Sequence, residues 1–321
     1  MLRYPKTSCS IPGCCLLLLS VSLFLFNVTP SSAETKLHIP AEYGELVYQS
    51  NPGSPCQLFI IGMSHRDSLT RLNGSNTSMV QAEVYKVGDW LIHNQGLELL
   101  LPEGFFKDKT AKIERKGLKF LPENGSKCPE PLDIKALIEQ LSNDKVFVNA
   151  EMLLKEHHQL RIQQVEDKAL YQDVTKGIFR LVSAGKNNDS CDYSLLRSEL
   201  DYLQERRTAA MLQRVPEVID SELREGNIKG RKAILTIGMS HLCTIINYLN
   251  ANRIIVQSPP GGSSKSEKYV ADLNLSKENF GVSVILPRTL ANDQKVLEMN
   301  KLDAVLAQFR KQSLALLPLA P

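Results

Sequence analysis

The tetrapeptide Gly-Met-Ser-His occurs twice in this chain, at positions 62–65 and 238–241, each time directly after an apolar run. A glycine at a strand end lets the chain turn sharply, so that a histidine three residues later projects into the crevice where open α/β sheets bind ligands. Two of the six histidines, His65 and His241, share this setting. If the two strands are neighbours, we expect both imidazoles to belong to one polar site.

Glu103 repeats this arrangement with a carboxylate, because it follows the apolar segment 99–102 and precedes Gly104. Alone, such a residue would be interpreted as a solvated turn residue. With His65 and His241 it completes a set of two imidazoles and a carboxylate, which suits a divalent transition metal such as manganese, cobalt or zinc. An ion of this kind lowers the pKa of bound water and supplies a nucleophile at neutral pH. We therefore predict a metal site formed by these three residues.

The elements that position these residues are predicted from the apolar pattern. Short continuous apolar runs predict buried strands at 58–61, 97–101 and 233–237 and two late strands at 254–256 and 282–286, and 146–148 is either a further strand or the start of a helix. Helical spacing predicts helices over about 79–94, 132–141, 151–183, 193–225, 242–249 and 294–312. Residues 34–55 are interpreted as an N-terminal arm. The fold class is therefore α/β, with a mostly buried central sheet flanked by helices and a helical insertion at about 150–230.

The first 33 residues have the three parts of a secretory signal peptide. Arg3 and Lys6 supply positive charge, residues 14–28 are nearly all apolar, and small residues at 31–33 form a cleavage site. The alternative is a membrane anchor, but the apolar run is short for a span of about 20 residues. We expect cleavage after Ala33, a single α/β domain over 34–321, and a secreted or periplasmic protein without a stable membrane span.

The charge of the chain bears on its binding partners, and its cysteines bear on disulfide formation. The net charge is +3 and no basic stripe is interleaved with aromatic residues, so nothing suggests a nucleic-acid binder. In an oxidising compartment, the four cysteines that follow the signal peptide permit two disulfides in three possible pairings. These cysteines are Cys56, Cys128, Cys191 and Cys243.

The other reactive side chains are expected to be structural. Cys243 lies two residues beyond His241, but a buried or disulfide-bonded cysteine is a simpler interpretation than a ligand or nucleophile. His157 and His158 are adjacent on a predicted helix, where successive residues point about 100° apart, so we expect a solvated face there. His93 is expected at a helix end, where the helix dipole favours it.

The pair of Gly-x-x-His motifs, with a strand-end glutamate after the first, resembles the Tiki/TraB/GumN family. This family belongs to a superfamily with erythromycin-esterase-like (EreA) and haem-binding ChaN-like proteins. In the family, a helix before the second histidine carries an arginine with an apolar Met or Trp close behind. Arg207 fits this position best, because Met211 falls four residues later, and Arg206 is the alternative. Thr208 stands where the family commonly has Asn or Asp.

The resemblance implies an EreA/ChaN-like fold and a metal-dependent hydrolase that cleaves peptide bonds. His65, Glu103 and His241 would hold the ion or position its water, with Glu103 as a ligand or as the general base. Arg207 would stabilise developing negative charge or bind a substrate carboxylate.

The family interpretation also assigns supporting roles and leaves two alternatives open. Ser64 and Ser240 would donate hydrogen bonds beside the histidines. The expected partner is a peptide or protein substrate, and the oligomeric state is left open. The first alternative is a haem- or iron-binding protein of the ChaN-like kind. The second is a non-enzymatic protein that keeps the scaffold and binds a peptide.

Overall fold

The structure, a computed structural model, describes residues 37–64, 74, 76–107, 133–142, 149–186, 190–258 and 268–315. The strands in chain order are β1 (Gly44–Ser50), β2 (Gln57–Met63), β3 (Leu99–Pro102), β4 (Arg161–Ile162), β5 (Lys232–Gly238), β6 (Arg253–Gln257), β7 (Lys268–Asp272) and β8 (Gly281–Pro287). The helices are α1 (Thr77–Gln95), α2 (Ile134–Leu141), α3 (Ala150–His158), α4 (Lys168–Lys186), α5 (Ser190–Arg224), α6 (Met239–Ala251), α7 (Asn274–Lys277), α8 (Arg288–Ala291), α9 (Gln294–Met299) and α10 (Asp303–Ala315).

Six of the strands form one mixed sheet in the order β1-β8-β2-β5-β3-β4. Neighbouring strands in this sheet are parallel, except that β1 and β8 are antiparallel. Every residue of β2 and β8 is buried, as expected for strands that helices cover on both faces. The sequence prediction of an α/β fold with a mostly buried central sheet is therefore confirmed. β6 and β7 pair with each other in a separate antiparallel ribbon.

Helices cover opposite faces of the central sheet. Ile61 and Thr236 are paired across β2 and β5, so their side chains point to the same face. The Thr236 hydroxyl donates to Glu151 of α3 at 2.5 Å, which places α3 and its neighbour α1 on that face. Gly62, the next residue along β2, faces the other way and lies against Leu242 of α6. Both helix layers therefore border the carboxyl edge of the parallel strands.

Several elements differ from the sequence prediction. The predicted arm over 34–55 contains the edge strand β1, because its prolines flank the strand rather than interrupt it. The predicted helix over 151–183 is divided into α3 and α4 by the two-residue strand β4 and the coil at 163–167. The predicted last helix is divided into α9 and α10. Strand β5 lies between β2 and β3, so strands from before and after the helical region interleave in one sheet.

Some predictions concern residues outside the described part of the chain: the signal peptide at 1–33, the strand or helix start at 146–148, Cys128 and His65. The side chain of Cys191 also lies outside the described part, and of the cysteines whose side chains are described, Cys56 is buried, Cys243 is half-buried, and both are free thiols. Within the residues that the structure describes, no helix combines the length and the apolar character that a membrane crossing requires.

Candidate functional site

The two Gly-Met-Ser-His segments begin side by side, because Gly62 and Met63 of β2 pair with the end of the neighbouring parallel strand β5. Their register differs by one residue, since Gly62 pairs with Ile237 and Met63 pairs with Gly238. Their local structures also differ: β2 continues through Met63, whereas β5 ends at Gly238 and α6 begins at Met239. The first copy therefore leads out of a strand, and the second forms the first turn of a helix.

Neither motif glycine adopts the left-handed backbone conformation that favours glycine. Gly62 is not among the residues with positive φ, and Gly238 has a φ of −62° and a ψ of 145°. Gly62 is instead required for space, because a Cβ there would lie 2.5 Å from Leu242 Cδ1 and 3.0 Å from Leu286 Cδ2. The chain therefore changes direction at Gly238, where β5 ends and α6 begins, whereas Gly62 is explained by the close approach of α6 to β2.

Glu103 follows β3 directly and lies against the start of α6. Its backbone N–H donates to the Thr236 carbonyl at 2.9 Å, which extends the pairing of β3 with β5 by one residue. Its side-chain Oε2 accepts a hydrogen bond from the Gly238 N–H at 2.6 Å. Gly238 is the N-cap of α6, so the carboxylate lies at the positive end of the helix dipole.

His241 lies in the first turn of α6 and is only 3% exposed. Its Nε2 is 3.3 Å from Glu103 Oε1, and its Nδ1 is 2.6 Å from the Thr208 hydroxyl of α5. That hydroxyl is also 2.8 Å from the Gln204 carbonyl, which can only accept, so Thr208 donates its one proton there. Nδ1 therefore donates to Thr208. Nε2 faces the carboxylate, and this contact is favourable with either a proton or a cation between the two atoms.

Arg207, also on α5, is 5% exposed and binds two carboxylates. Its Nη2 lies 2.8 Å from Glu103 Oε1 and also contacts Glu166 Oε1, while its Nε donates to Glu166 Oε2 at 3.0 Å. The guanidinium carbon lies 5.1 Å from the centre of the Tyr171 ring. Burial acts to lower the pKa of Arg207, but the hydrogen bonds and charges of both glutamates outweigh it and raise that pKa. The side chain is therefore held as a cation.

Glu166 is the carboxylate of this cluster that sequence analysis missed. It is fully buried in the coil after β4, and its carbonyl accepts from Arg214 Nη1 at 2.8 Å. Its Oε1 also accepts from the Gly104 N–H at 3.4 Å, so it borders the segment that carries Glu103. The available signal was the same as for Glu103, a carboxylate shortly after a strand. It was hidden because β4 has only two residues and lay within a pattern interpreted as helical.

Three of the predicted site residues, Glu103, Arg207 and His241, form one buried cluster at the carboxyl edge of the sheet. Arg206, the alternative arginine, instead donates to the Tyr202 hydroxyl on its own helix at 3.4 Å. Of the two candidates, Arg207 is thus the one that reaches the cluster.

The chain before His65 is fixed by Gln81 of α1. Its Nε2 donates to the Ser64 carbonyl at 2.9 Å, and its Oε1 accepts from the N–H of Ala150, the first residue of α3, at 2.9 Å. Ser64 is half-buried at the end of β2, whereas Ser240 is exposed in the first turn of α6. His65 itself lies outside the described residues, so its contacts and the hydrogen bonds predicted for the two serines stay predictions.

Two of the described side chains, Glu103 and His241, could hold a divalent transition metal together. Glu103 Oε1 and His241 Nε2 are 3.3 Å apart, close to the edge of about 3.3 Å of a tetrahedron whose metal–ligand bonds are about 2.0 Å. The Nδ1 contact with Thr208 is the kind of outer hydrogen bond that orients metal-binding histidines. Glu103, Glu166 and Arg207 together carry a formal charge of −1, which attracts a cation.

A scan against protein-family models, a search of curated proteins and a search of solved structures each found no match to this chain. The fold and the site therefore define its class by themselves. It is an α/β protein with a buried glutamate–histidine–arginine cluster at the carboxyl edge of a mixed sheet.

Proposed function

We propose that this chain is an exported metal-dependent hydrolase that acts on peptides. One observation carries the proposal: His241 directs Nε2 at Glu103 Oε1 over 3.3 Å, while its Nδ1 is already committed to Thr208. The second ring nitrogen of His241 is thus directed at a carboxylate oxygen. A metal ion between the two atoms makes the same geometry favourable.

His65, Glu103 and His241 would hold the ion, which is manganese, cobalt or zinc by the chemistry of these donors. The ion would acidify a water and so supply a nucleophile at neutral pH. Gln81 fixes the backbone of Ser64 directly before His65, and β3 and α6 fix the other two residues. The positions of Glu103 and His241 are thus set by the end of β3 and the first turn of α6, which keeps these two side chains ordered before substrate binds.

Arg207 acts through Glu103 on this proposal. Its guanidinium is buried and binds both Glu103 and Glu166, so it fixes the orientation of Glu103 and favours the ionised carboxylate. Its positive charge, which lies next to Glu103, would also stabilise negative charge that develops at the site. Arg207 is therefore a positioning residue rather than a substrate ligand.

The substrate class and the compartment come from the sequence. The order histidine, glutamate, arginine, histidine resembles the Tiki/TraB/GumN family, which implies hydrolysis of peptide bonds. The N-terminal charge, apolar run and small residues at 31–33 support export to a secreted or periplasmic location.

The test compares metal content and peptide hydrolysis in chains purified without chelator. The wild type, the His65→Ala/His241→Ala double variant and Glu103→Gln are loaded in turn with manganese, cobalt and zinc and assayed against a peptide library. We expect the wild type to hold one metal ion per chain more than the double variant. Glu103→Gln should lower hydrolysis by at least about 100-fold, the smaller end of a general-base contribution.

Two further variants sharpen the comparison. Thr208→Val removes the partner of His241 Nδ1 and should weaken metal affinity by about 10–100-fold. His38→Ala removes an exposed histidine near the N-terminus and should change neither metal content nor hydrolysis. Equal metal content in the wild type and the folded double variant, with all three metals, would refute the metal site. A metal-loaded chain that cleaves no peptide would refute the substrate class alone.

A further inference from the structure

A second group of potential metal ligands lies far from the strand ends that carry Glu103. Asp89 and His93 of α1 and His158 of α3 each offer one ligand atom, and these atoms lie within 4.8 Å of one another. The Gln95 carbonyl at the end of α1 accepts from Lys232, the first residue of β5, at 3.0 Å. The group is therefore near the amino edge of the sheet, opposite the candidate hydrolase site.

Helix geometry brings the three side chains together. Asp89 and His93 are four residues apart, so they share one face of α1. His158 is the last residue of α3, a helix that packs against α1. Asp89 Oδ1 lies 3.0 Å from His158 Nε2 and 3.3 Å from His93 Nδ1. Because the group lies near the C-terminal ends of two helices, both helix dipoles favour a cation there.

His158 is the buried member of this group. Its side chain is 7% exposed, and its Nε2 lies 3.0 Å from Asp89 Oδ1. This nitrogen has no other hydrogen-bond partner among the described residues. A cation between Nε2 and the carboxylate would use both atoms as ligands.

We propose that Asp89, His93 and His158 form a second metal site, which binds Zn²⁺ and links the ends of α1 and α3. The two distances from Asp89 Oδ1, 3.0 and 3.3 Å, are close to the edge of about 3.3 Å of a tetrahedron with bonds of about 2.0 Å. The His93 side chain is 55% exposed, which leaves room for water as the fourth ligand.

His93 must change its tautomer for this role. Its Nδ1 lies 2.9 Å from the Asp89 carbonyl, so the proton of the free ring is on Nδ1. When Nδ1 binds the metal, that proton moves to the exposed Nε2 and the ring stays neutral. The exposed ring can make this change without disturbing the core.

The experiment titrates the full chain with Co²⁺, which takes the place of Zn²⁺ and absorbs visible light in a tetrahedral site. The parent protein is the His65→Ala/His241→Ala variant, so that the first site does not contribute. We expect one Co²⁺ per chain, displaced by Zn²⁺. Adding His158→Ala or His93→Ala should weaken binding by more than about 100-fold, beyond the effect of losing an outer-shell contact.

His157→Ala is the matched control, because this adjacent histidine is not among the three ligands and its Nδ1 contacts the Tyr85 hydroxyl at 2.8 Å. Zn²⁺ should raise the Tm of the parent and of the control, but not of the His93 variant, because only a folded site gains from ligand binding. His93 is largely exposed, so its replacement tests the site even if the His158 variant does not fold. Unchanged Co²⁺ affinity in the His93 variant, or no binding by the parent, would overturn the proposal.

Discussion

Arg207 lies between two glutamates. Without its guanidinium, the carboxylates of Glu103 and Glu166 would be left near each other with no positive charge between them. Arg207→Met keeps the apolar stem and removes the charge. Breaking a buried ion pair from one side destabilises a protein by about 3–5 kcal/mol. We expect a loss of this size in the free energy of unfolding, measured with urea at neutral pH.

The charge explanation is tested by a second substitution on the other side of the pair. Arg207→Met/Glu166→Gln also removes the carboxylate and should be more stable than Arg207→Met alone. Arg206→Met changes the neighbouring arginine, which contacts Tyr202, and should stay within about 1 kcal/mol of the wild type. If the double variant is no more stable than Arg207→Met, lost packing rather than charge explains the effect.

At the residue scale, the sequence indicates site members only where a local pattern marks them. Glu103 and His241 were marked because each follows an apolar strand. Glu166 was not, since the strand before it has two residues. His158 was expected on a solvated face, and this was wrong: its side chain is 7% exposed. Its burial depends on the packing of α3 against α1, which no local pattern specifies.

At the scale of elements, the same tetrapeptide ends one strand and begins one helix, so its surroundings decide its structure. Gly62 is the clearest case, because α6 passes so close that a Cβ would meet Leu242 and Leu286. Both side chains are fully buried and cannot move into free space. Gly62→Ala should therefore destabilise the protein by about 1–3 kcal/mol, the usual effect of overpacking.

The comparison for Gly62→Ala is made by thermal or urea unfolding of two other variants. Gly53→Ala adds a methyl group where no atom lies within 4 Å and should change stability by less than about 0.5 kcal/mol. Gly62→Ala/Leu242→Ala provides space, so its destabilisation should be smaller than the sum of the two single effects. Strict additivity would show that close packing of α6 is not the reason for the glycine.

Strands that are apolar throughout were predictable, and the others were not. β2, β5 and β8 are buried along nearly their whole length and match continuous apolar runs. β1 is an edge strand of mixed burial, and β4 is two residues long, so neither produces such a run. Continuous burial is a property of central parallel strands, which explains why the centre of the sheet was predicted and its two edges were missed.

At the scale of the whole molecule, distant parts of the chain meet in the sheet. Ile60 pairs with both Leu235 and Val284, which are far apart in sequence. The apolar pattern predicts that such strands exist but contains no information on their order. Whether β2 and β5, which lead into the two Gly-Met-Ser-His segments, are neighbours therefore depends on the complete fold. The observed strand order makes them neighbours, which is the condition that the sequence analysis set for one shared site.

Glu83 connects the first third of the chain to the last. It lies on α1, is 3% exposed, and accepts hydrogen bonds from the Thr289 N–H at 2.9 Å and the Thr289 hydroxyl at 2.8 Å. Burial raises the pKa of Glu83, although both hydrogen bonds and the charge of Arg288 act in the opposite direction. The folded protein therefore holds this proton more tightly than the unfolded chain does.

This raised pKa predicts the sign of a pH effect on global stability. The contribution of Glu83 is fully present below its ordinary value of about 4.5 and is lost as the pH rises through the higher pKa of the folded state. Glu83→Gln keeps an acceptor for Thr289 and removes the titration. The wild type should therefore lose stability relative to Glu83→Gln as the pH is raised from 4 to 7, in urea unfolding at each pH.

Thr289→Val provides the matched test, because it removes the hydroxyl donor but keeps the backbone N–H. Without that hydrogen bond, the pKa of Glu83 should rise further. The loss of stability should then continue to higher pH than in the wild type, since the charged carboxylate is buried with one donor fewer. Equal pH profiles for the wild type and Glu83→Gln would show that Glu83 has the same proton affinity in the folded and unfolded chain. In that case the hydrogen bonds between Glu83 and Thr289 would connect α1 to α8 with no free-energy penalty for burying the charge of Glu83.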